Sequence, residues 1–348
     1  MAKALYTEHP NALKLLFSEI DAKSRQWPHV FVGTPGSVLE RTKPDGFRFY
    51  AHQFYGPGGR KHETYVAGPV GNPEADEKAR ALRELVQEIQ HTASHTRLLA
   101  REGYSLLDRD AYASIASLHN FGVFLAGGVL IGSHAYGVLL NAAGVTPASG
   151  VMKTEDVDLG MKPQLALPSA NADIVEILRT SMLDLVPVPG LDPRLPATSF
   201  KKPGKSHFQV DLLVGAPTET YSVVPIPALK AHATGLAYLD YLIEGAFPAT
   251  AIGREGACRV SVPSAERFAV HKLVVASIRH REPKAQKDLA QAAVLLAFLA
   301  DTDAPSIREA LLALPQQAHQ HLMRSIERIR ALLSQSAPNA LELLSANE

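Results

Sequence analysis

A single cysteine in 348 residues, Cys258, excludes an internal disulfide and leaves no second thiol with which to begin a zinc or iron–sulfur cluster. A reducing compartment is the expectation. Charge of one sign is lacking as well: 35 Lys plus Arg stand against 35 Asp plus Glu. The chain therefore carries no global field of the kind that coats DNA or RNA, although a local basic surface is still open to it. No run reaches the ~18 consecutive apolar residues of a membrane span. The opening MAKALYTEHPNALKLLF has no long apolar core beside a small-residue cleavage site. A soluble cytoplasmic protein that meets no membrane is expected. Repeats, low-complexity tracts, a P-loop and a GxSxG elbow are missing too.

What is present is ample material for a core, 46% hydrophobic residues, in a length that favours two or three domains. Residues 11–26 have the period of a short amphipathic helix. From about Phe31 to Pro69, aromatic and β-branched residues alternate with polar ones, and KPDG and GPGG supply turns, so a three-stranded antiparallel meander is predicted. A long connecting helix follows, opened by Pro73 and an acidic first turn. From Tyr112 the pattern is mixed. ASIASLHN reads as helix, FGVFLAG as a buried strand, and SHAYGVLLNAAG as a helix with Ser133 as its cap and a Gly at its end. TEDVDLGM, DLVPVP, ATSF, HFQVDLLVG, SVVPI, YLDYLI and CRVSVP read as strands, and ADIVEILRTSML as a helix. After Pro263 the chain turns Ala- and Leu-rich with helical periodicity. The fold class expected is α+β: a mixed sheet flanked by helices, an N-terminal small β meander and a C-terminal helical bundle. The corresponding divisions are 1–75, 76–110, 111–262 and 263–348.

The residues that point to chemistry are few. In a strand, side chains alternate between faces, so Asp156 and Asp158 share one face while Val157 and Leu159 point into the core. Two acids so placed repel each other unless a cation lies between them, and Mg2+ prefers such oxygens while keeping sites open for phosphate and water. Phe208-Gln209-Val210-Asp211-Leu212-Leu213-Val214 sets one further acid in an apolar strand. Pairing beside the first would complete a three-carboxylate cluster. Alone, a DxD is weak evidence, because most such pairs are solvated strand ends. Upstream, FLAGGVLIGSHAYGVLL runs from strand through a glycine-rich turn into a helix. Glycines there let the backbone approach a ligand, and first-turn N–H groups with the Ser133 hydroxyl can receive phosphate oxygens. The plainer alternative is a tight turn capped by Ser133.

This order of glycine–serine turn, DxD strand and single-Asp strand resembles the nucleotidyltransferase superfamily that includes DNA polymerase β, CCA-adding enzymes, antibiotic nucleotidyltransferases and minimal nucleotidyltransferase toxins. The chain is similar over roughly residues 30 to 300 to a bacterial group with a nucleotidyltransferase domain. That similarity is carried by GSVLERT…GFRFYAHQFY…GRKHETYVAGP, AGGVLIGSHAYGVLLNAAGV, TEDVDL, FQVDLLVG and RFAVHKLVVASIR…KDLAQAAVLL. The resemblance implies an enzyme of the EC 2.7.7 type that uses Mg2+ or Mn2+ and a nucleoside triphosphate such as ATP. It implies Asp156 and Asp158 as ligands of both metals, Asp211 as ligand of the catalytic one, and Gly132 and Ser133 at the phosphates. Lys272 matches a lysine that contacts the triphosphate, with Lys287-Asp288 at the neighbouring KD position. Twenty-two residues separate Ser133 from Asp156, longer than usual for the superfamily, so NAAGVTPASGVMK is expected to loop out.

In such chemistry an acceptor hydroxyl attacks the α-phosphorus and pyrophosphate leaves, with Asp211 best placed to draw off the hydroxyl proton. Lys272 would be costly in an apolar helix unless paired or facing a cleft, and its alternative is a snorkelling surface lysine. Asp288 is expected as its ion-pair partner or as a surface acid, and Glu155 is excluded because it faces away from the pair. His91 and His95 have helical zinc spacing but lack a third ligand. Tyr50, Phe54 and Tyr55, near Arg48, Arg60 and Lys61, would suit base stacking or simply a small core. RNA or tRNA is the preferred acceptor. A protein or small-molecule acceptor in a toxin or defence role, and a non-catalytic nucleic-acid-binding scaffold, are the alternatives.

Overall fold

The chain begins with a short strand, β1 (Tyr6–Glu8), and helix α1 (Asn11–Ser24), whose Phe17 and Ile20 are buried. This computed structural model describes residues 4–149, 154–165, 167, 173–190, 192, 194–216 and 220–345. The meander follows as read: β2 (Ser37–Thr42), β3 (Arg48–Tyr55) and β4 (Lys61–Ala67) pair antiparallel in sequence order. Its covered face is small. Tyr50 and Ala67 pack on Ala75 and Ala79 of α2 (Pro73–Arg101), forming a hydrophobic cluster separate from the main core, and the Tyr50 hydroxyl donates to Asp76 at 2.8 Å. Tyr50 is therefore a core residue and not a stacking platform. The start of α2 is fixed by Asn72, whose side-chain oxygen accepts from the N–H groups of Glu74 and Ala75, with Pro73 in the first turn.

Helix α3 (Arg109–Asn120) is capped by Asp108. FGVFLAG, expected as a strand, is a run of turns: Gly122 and Gly127 have φ of 71° and 106°, and Leu125 is 88% exposed. Left-handed backbone at both glycines interrupts any ladder, so the strand begins later, as β5 (Val129–Ile131). Helix α4 (Gly132–Ala143) ends on left-handed Gly144. The expected outward loop after it is partly structured, because β6 (Val145–Pro147) pairs antiparallel with β1; its residues 150–153 lie outside the described residues.

The central sheet is built from β7 (Asp156–Met161), then, past α5 (Ile174–Arg179), from β8 (Val186–Val188), β9 (Ser199–Lys201), β10 (Gln209–Ala216), β11 (Val223–Ile226) and β12 (Ala231–Ala237). Strand order is β11-β12-β10-β7-β5, with β9 between β10 and β8. It is mixed: β10 runs parallel to β7 and β12, while β5, β9 and β11 pair antiparallel to their neighbours. β10 divides its second edge, giving Gln209–Asp211 to β9 and Leu213–Ala216 to β12.

YLDYLI, expected as a strand, contains helix α6 (Leu239–Ile243). Leu239, Tyr241, Leu242 and Ile243 are all buried, a near-continuous burial that strand alternation does not provide in this setting. Tyr241 is further anchored, its hydroxyl donating to the Ala310 carbonyl at 2.9 Å. A hairpin, β13 (Phe247–Ile252) and β14 (Ala257–Val262), then leads into α7 (Ala265–Ile278), α8 (Glu282–Thr302), α9 (Ala304–Leu312), α10 (His319–Ser336) and α11 (Pro338–Ser345). One continuous hydrophobic core joins α1, the sheet and these helices. Helix α1 is tied to the hairpin by Asp21, which accepts at 2.6 Å from both Thr250 and Arg259.

Candidate active site

Val157, Leu159 and Met161 of β7 and Val210, Leu212 and Val214 of β10 are all 0% exposed. Their burial fixes the orientation of the residues between them. The parallel register sets Asp211 against Asp158 and Gln209 against Asp156, so all three acids stand on the same face of adjacent strands. On the other edge of β10, Ser199 lies opposite Asp211 and Lys201 opposite Gln209. The face thus reads Asp156 and Asp158, then Gln209 and Asp211, then Lys201 and Ser199.

The glycine–serine turn adjoins this row. Ile131 pairs with Asp158 at the end of β5, and Gly132 follows with φ of 67°. A methyl group built on Gly132 would overlap Oδ2 of Asp158. Two demands, a left-handed backbone and room for a carboxylate, therefore fall on the same residue. Ser133 is not the cap that was expected. Ile131 occupies the cap position and, among the described residues, no side chain caps α4. Its first-turn N–H groups remain available to an external oxygen. His134, the next residue, is buried, and its Nε2 has no partner among the described residues.

Negative charge on this face is compensated only in part. Burial first, and then the Asp211 carboxylate, push Asp158 from its ordinary 3.8 up to about 6, against the pull of the Lys272 ammonium. Asp156 is raised by the same two causes, with Lys284 opposing. Asp211 Oδ2 accepts from the Gln209 amide at 2.9 Å, while its Oδ1 is buried without a partner among the described residues. An orphaned carboxylate oxygen beside two acids that resist ionisation is the donor set a hard divalent cation satisfies. Among the described residues, no three His, Cys, Asp or Glu side chains already close around a common point, and Gln209 holds one Asp211 oxygen.

Helices α7 and α8 bring cations to the other side. Lys272 is 8% exposed, and its Nζ meets Asp288 Oδ1 at 2.6 Å, with Arg279 Nε on Asp288 Oδ2 at 3.0 Å. Burial alone would raise Asp288, but Lys272 and Arg279 hold it below the ordinary carboxylate range. Asp288 is the ion-pair partner of Lys272, as the sequence indicated, and Lys272 does not snorkel. Lys287 feels both Asp156 and Asp158; burial and then Lys272 lower its pKa. Burial and then Lys287 lower His134 to about 4. His91 and His95 meet edge to face on α2, 4.3 Å between ring centres.

Comparison with protein families matches residues 109–315 to the family described as Nucleotidyltransferase, well over half of the chain. The chain belongs to this nucleotidyltransferase family. Searches of curated proteins and of solved structures return no match. The nucleotidyltransferase match starts at the first residue of α3 and takes in Gly132, Ser133, Asp156, Asp158, Asp211 and Lys272, while the meander lies outside it. Three residues around the acids carried no sequence signal that singled them out. Gln209 and Lys201 become visible only through strand register, and His134 only through its burial and the Lys287 charge that reaches it.

Proposed function

We propose that this nucleotidyltransferase is of the DNA polymerase β-like type and moves a nucleoside monophosphate from a nucleoside triphosphate to an acceptor hydroxyl, releasing pyrophosphate. The observation that carries the reading is that strand register puts Asp156, Asp158 and Asp211 on one sheet face, with Gly132 against Asp158. In this reading Asp156, Asp158 and Asp211 hold Mg2+ or Mn2+, which when bound neutralises charge on attacking and leaving oxygens. The first turn of α4 and the Ser133 hydroxyl receive phosphate oxygens through donors that no side chain already occupies. Lys272 and Lys287 add positive charge where the triphosphate would lie. Asp211 draws the proton from the acceptor hydroxyl onto Oδ1, while Gln209 keeps Oδ2 and the ring of contacts fixed. RNA is the acceptor proposed.

Incubating the protein with Mg2+, each α-labelled nucleoside triphosphate and total RNA or lysate tests the reading. Transfer of label with release of pyrophosphate is expected, and Asp211→Asn is expected to abolish it without lowering the melting temperature, since removing one of three like charges relieves repulsion. Label transfer by Asp211→Asn at the wild-type rate would show that the proton goes elsewhere.

A further inference from the structure

Two cavities lie between the meander tip and the segments that lead into β7 and β10. The inner one, about 570 Å³, is bounded by Glu155 just ahead of Asp156, Phe208 just ahead of Gln209, Lys205, Arg109 and Arg254, and by Pro57 from the meander. The outer one, about 230 Å³, is bounded by Tyr55, Pro57 and Gly59 of the β3–β4 turn with Arg109 and Glu255. Pro57 and Arg109 line both, so the two form one cleft. It runs from the strand starts that carry Asp156 and Gln209 out to the tip of a hairpin outside the family match.

The lining presents distinct chemistries in sequence. Lys205 and Arg254 are exposed, and among the described residues neither forms an ion pair. Among the described residues, the ion pair of Arg109 is with Glu255, at 3.3 Å, while Asp110 is paired with Lys202 at 2.6 Å. Glu255 keeps a second oxygen, Oε2, buried without a partner among the described residues. It accepts a hydroxyl or amino hydrogen. The Tyr55 ring, 48% exposed, offers a flat apolar surface, and at Gly58 and Gly59 of the turn there is open space for close approach. Free cations for phosphates, an unsatisfied acceptor for a sugar hydroxyl and a ring for a base are the parts of a nucleotide strand. A folded protein acceptor would require a broader surface with an apolar centre.

We infer that this cleft is the acceptor site and that it seats the end of a single-stranded RNA, with Lys205 and Arg254 on its phosphates and Tyr55 against a base. The inference rests on the nucleotidyltransferase reading above, because the cleft's inner end is lined by Glu155 and Phe208, the residues that lead directly into Asp156 and Gln209. The test uses the full chain and a fluorescent 12-nucleotide RNA, with binding followed by anisotropy from 50 to 300 mM KCl. Binding of a fluorescent triphosphate analogue with Mg2+ is measured separately. The Lys205→Ala/Arg254→Ala variant is expected to bind RNA at least about tenfold more weakly at low salt, with the slope of log affinity against log salt reduced by roughly 1.4 for two phosphate contacts. Triphosphate binding is expected to stay within twofold. Equal RNA binding by variant and wild type, no RNA binding by wild type, or label appearing on a lysate protein instead of RNA would overturn the cleft assignment. RNA binding that depends on the cleft in a protein that binds no triphosphate would leave the cleft standing and remove the transfer reading.

Discussion

Replacing Asp158 with asparagine separates a carboxylate that the fold welcomes from one it tolerates for the sake of a ligand. Asp158 sits at about 6 in the folded chain against 3.8 ordinarily, through burial and the neighbouring Asp211. Below about pH 4 both folded and unfolded chains hold the proton, and the group imposes no cost. Between about 4 and 6 the unfolded chain releases it first, so stability falls as pH rises. Above about 6 the whole cost is present, about 3 kcal/mol from the displacement of the pKa. For a chain of this length that corresponds to roughly 4 °C in melting temperature. Melting is followed by circular dichroism between pH 4 and 8 in EDTA, then with millimolar Mg2+. Asp158→Asn is expected to melt higher than wild type at pH 8 by about that amount and to match it near pH 4. Added Mg2+ is expected to raise wild type and to narrow the gap, because a ligand of the folded state stabilises only the chain that can hold it. An Asp158→Asn protein that melts lower than wild type at pH 8 would refute the reasoning, since the charge would then be held by favourable partners.

Gly132→Ala is expected to cost about 1–3 kcal/mol through its left-handed backbone and to slow transfer by roughly 100-fold as the Asp158 carboxylate is displaced; melting and steady-state turnover check both. Lys272→Met leaves Asp288 buried with Arg279 alone and is expected to lose about 3–5 kcal/mol, most of it recovered in Lys272→Met/Asp288→Leu. Denaturant titration of the two variants is the measurement. Deleting residues 36–68, with Ala75 and Ala79 changed to polar residues to suit their new exposure, is expected to spare triphosphate binding and sharply reduce transfer to a large acceptor. Undiminished transfer would assign the meander a packing role alone.

Much of the architecture was legible because it is written in local periodicity. The meander, α2 and the helices after Pro263 declare themselves by alternation, caps and apolar stripes. The apolar flanks of Asp156, Asp158 and Asp211 likewise dictated that these acids leave the core. The misreadings share a cause. FGVFLAG and YLDYLI are short apolar runs, for which strand, helix and buried turn are equally compatible until neighbours decide. In the first, glycines took positive φ; in the second, packing against α7 and Ala310 rewarded a helix. Ser133 has the composition of a cap, yet Gly132 already turns the chain and Ile131 takes the cap position. β12, AHATGLA, escaped notice because Ala and Gly dominate it and Thr234 is its one β-branched residue. Gln209 and Lys201 belong to the acidic face through register across strands, which one sequence does not state.

The pairing of β1 with β6, and the bond from the Tyr6 hydroxyl to Asp301 at 2.9 Å, set a constraint on when this protein can assemble. Strand β1 has no partner until residues 145–147 exist, and the network from Asp21 in α1 to Thr250 and Arg259 waits for the β13–β14 hairpin. During synthesis, α2 and Tyr104 can cover part of α1 early, but its contacts to the hairpin wait until more than two hundred further residues are made. Contacts of such long sequence separation slow folding and prolong exposure of sticky surface. Helix α1 is thus secured in two stages, the second of them only when the β13–β14 hairpin has been made.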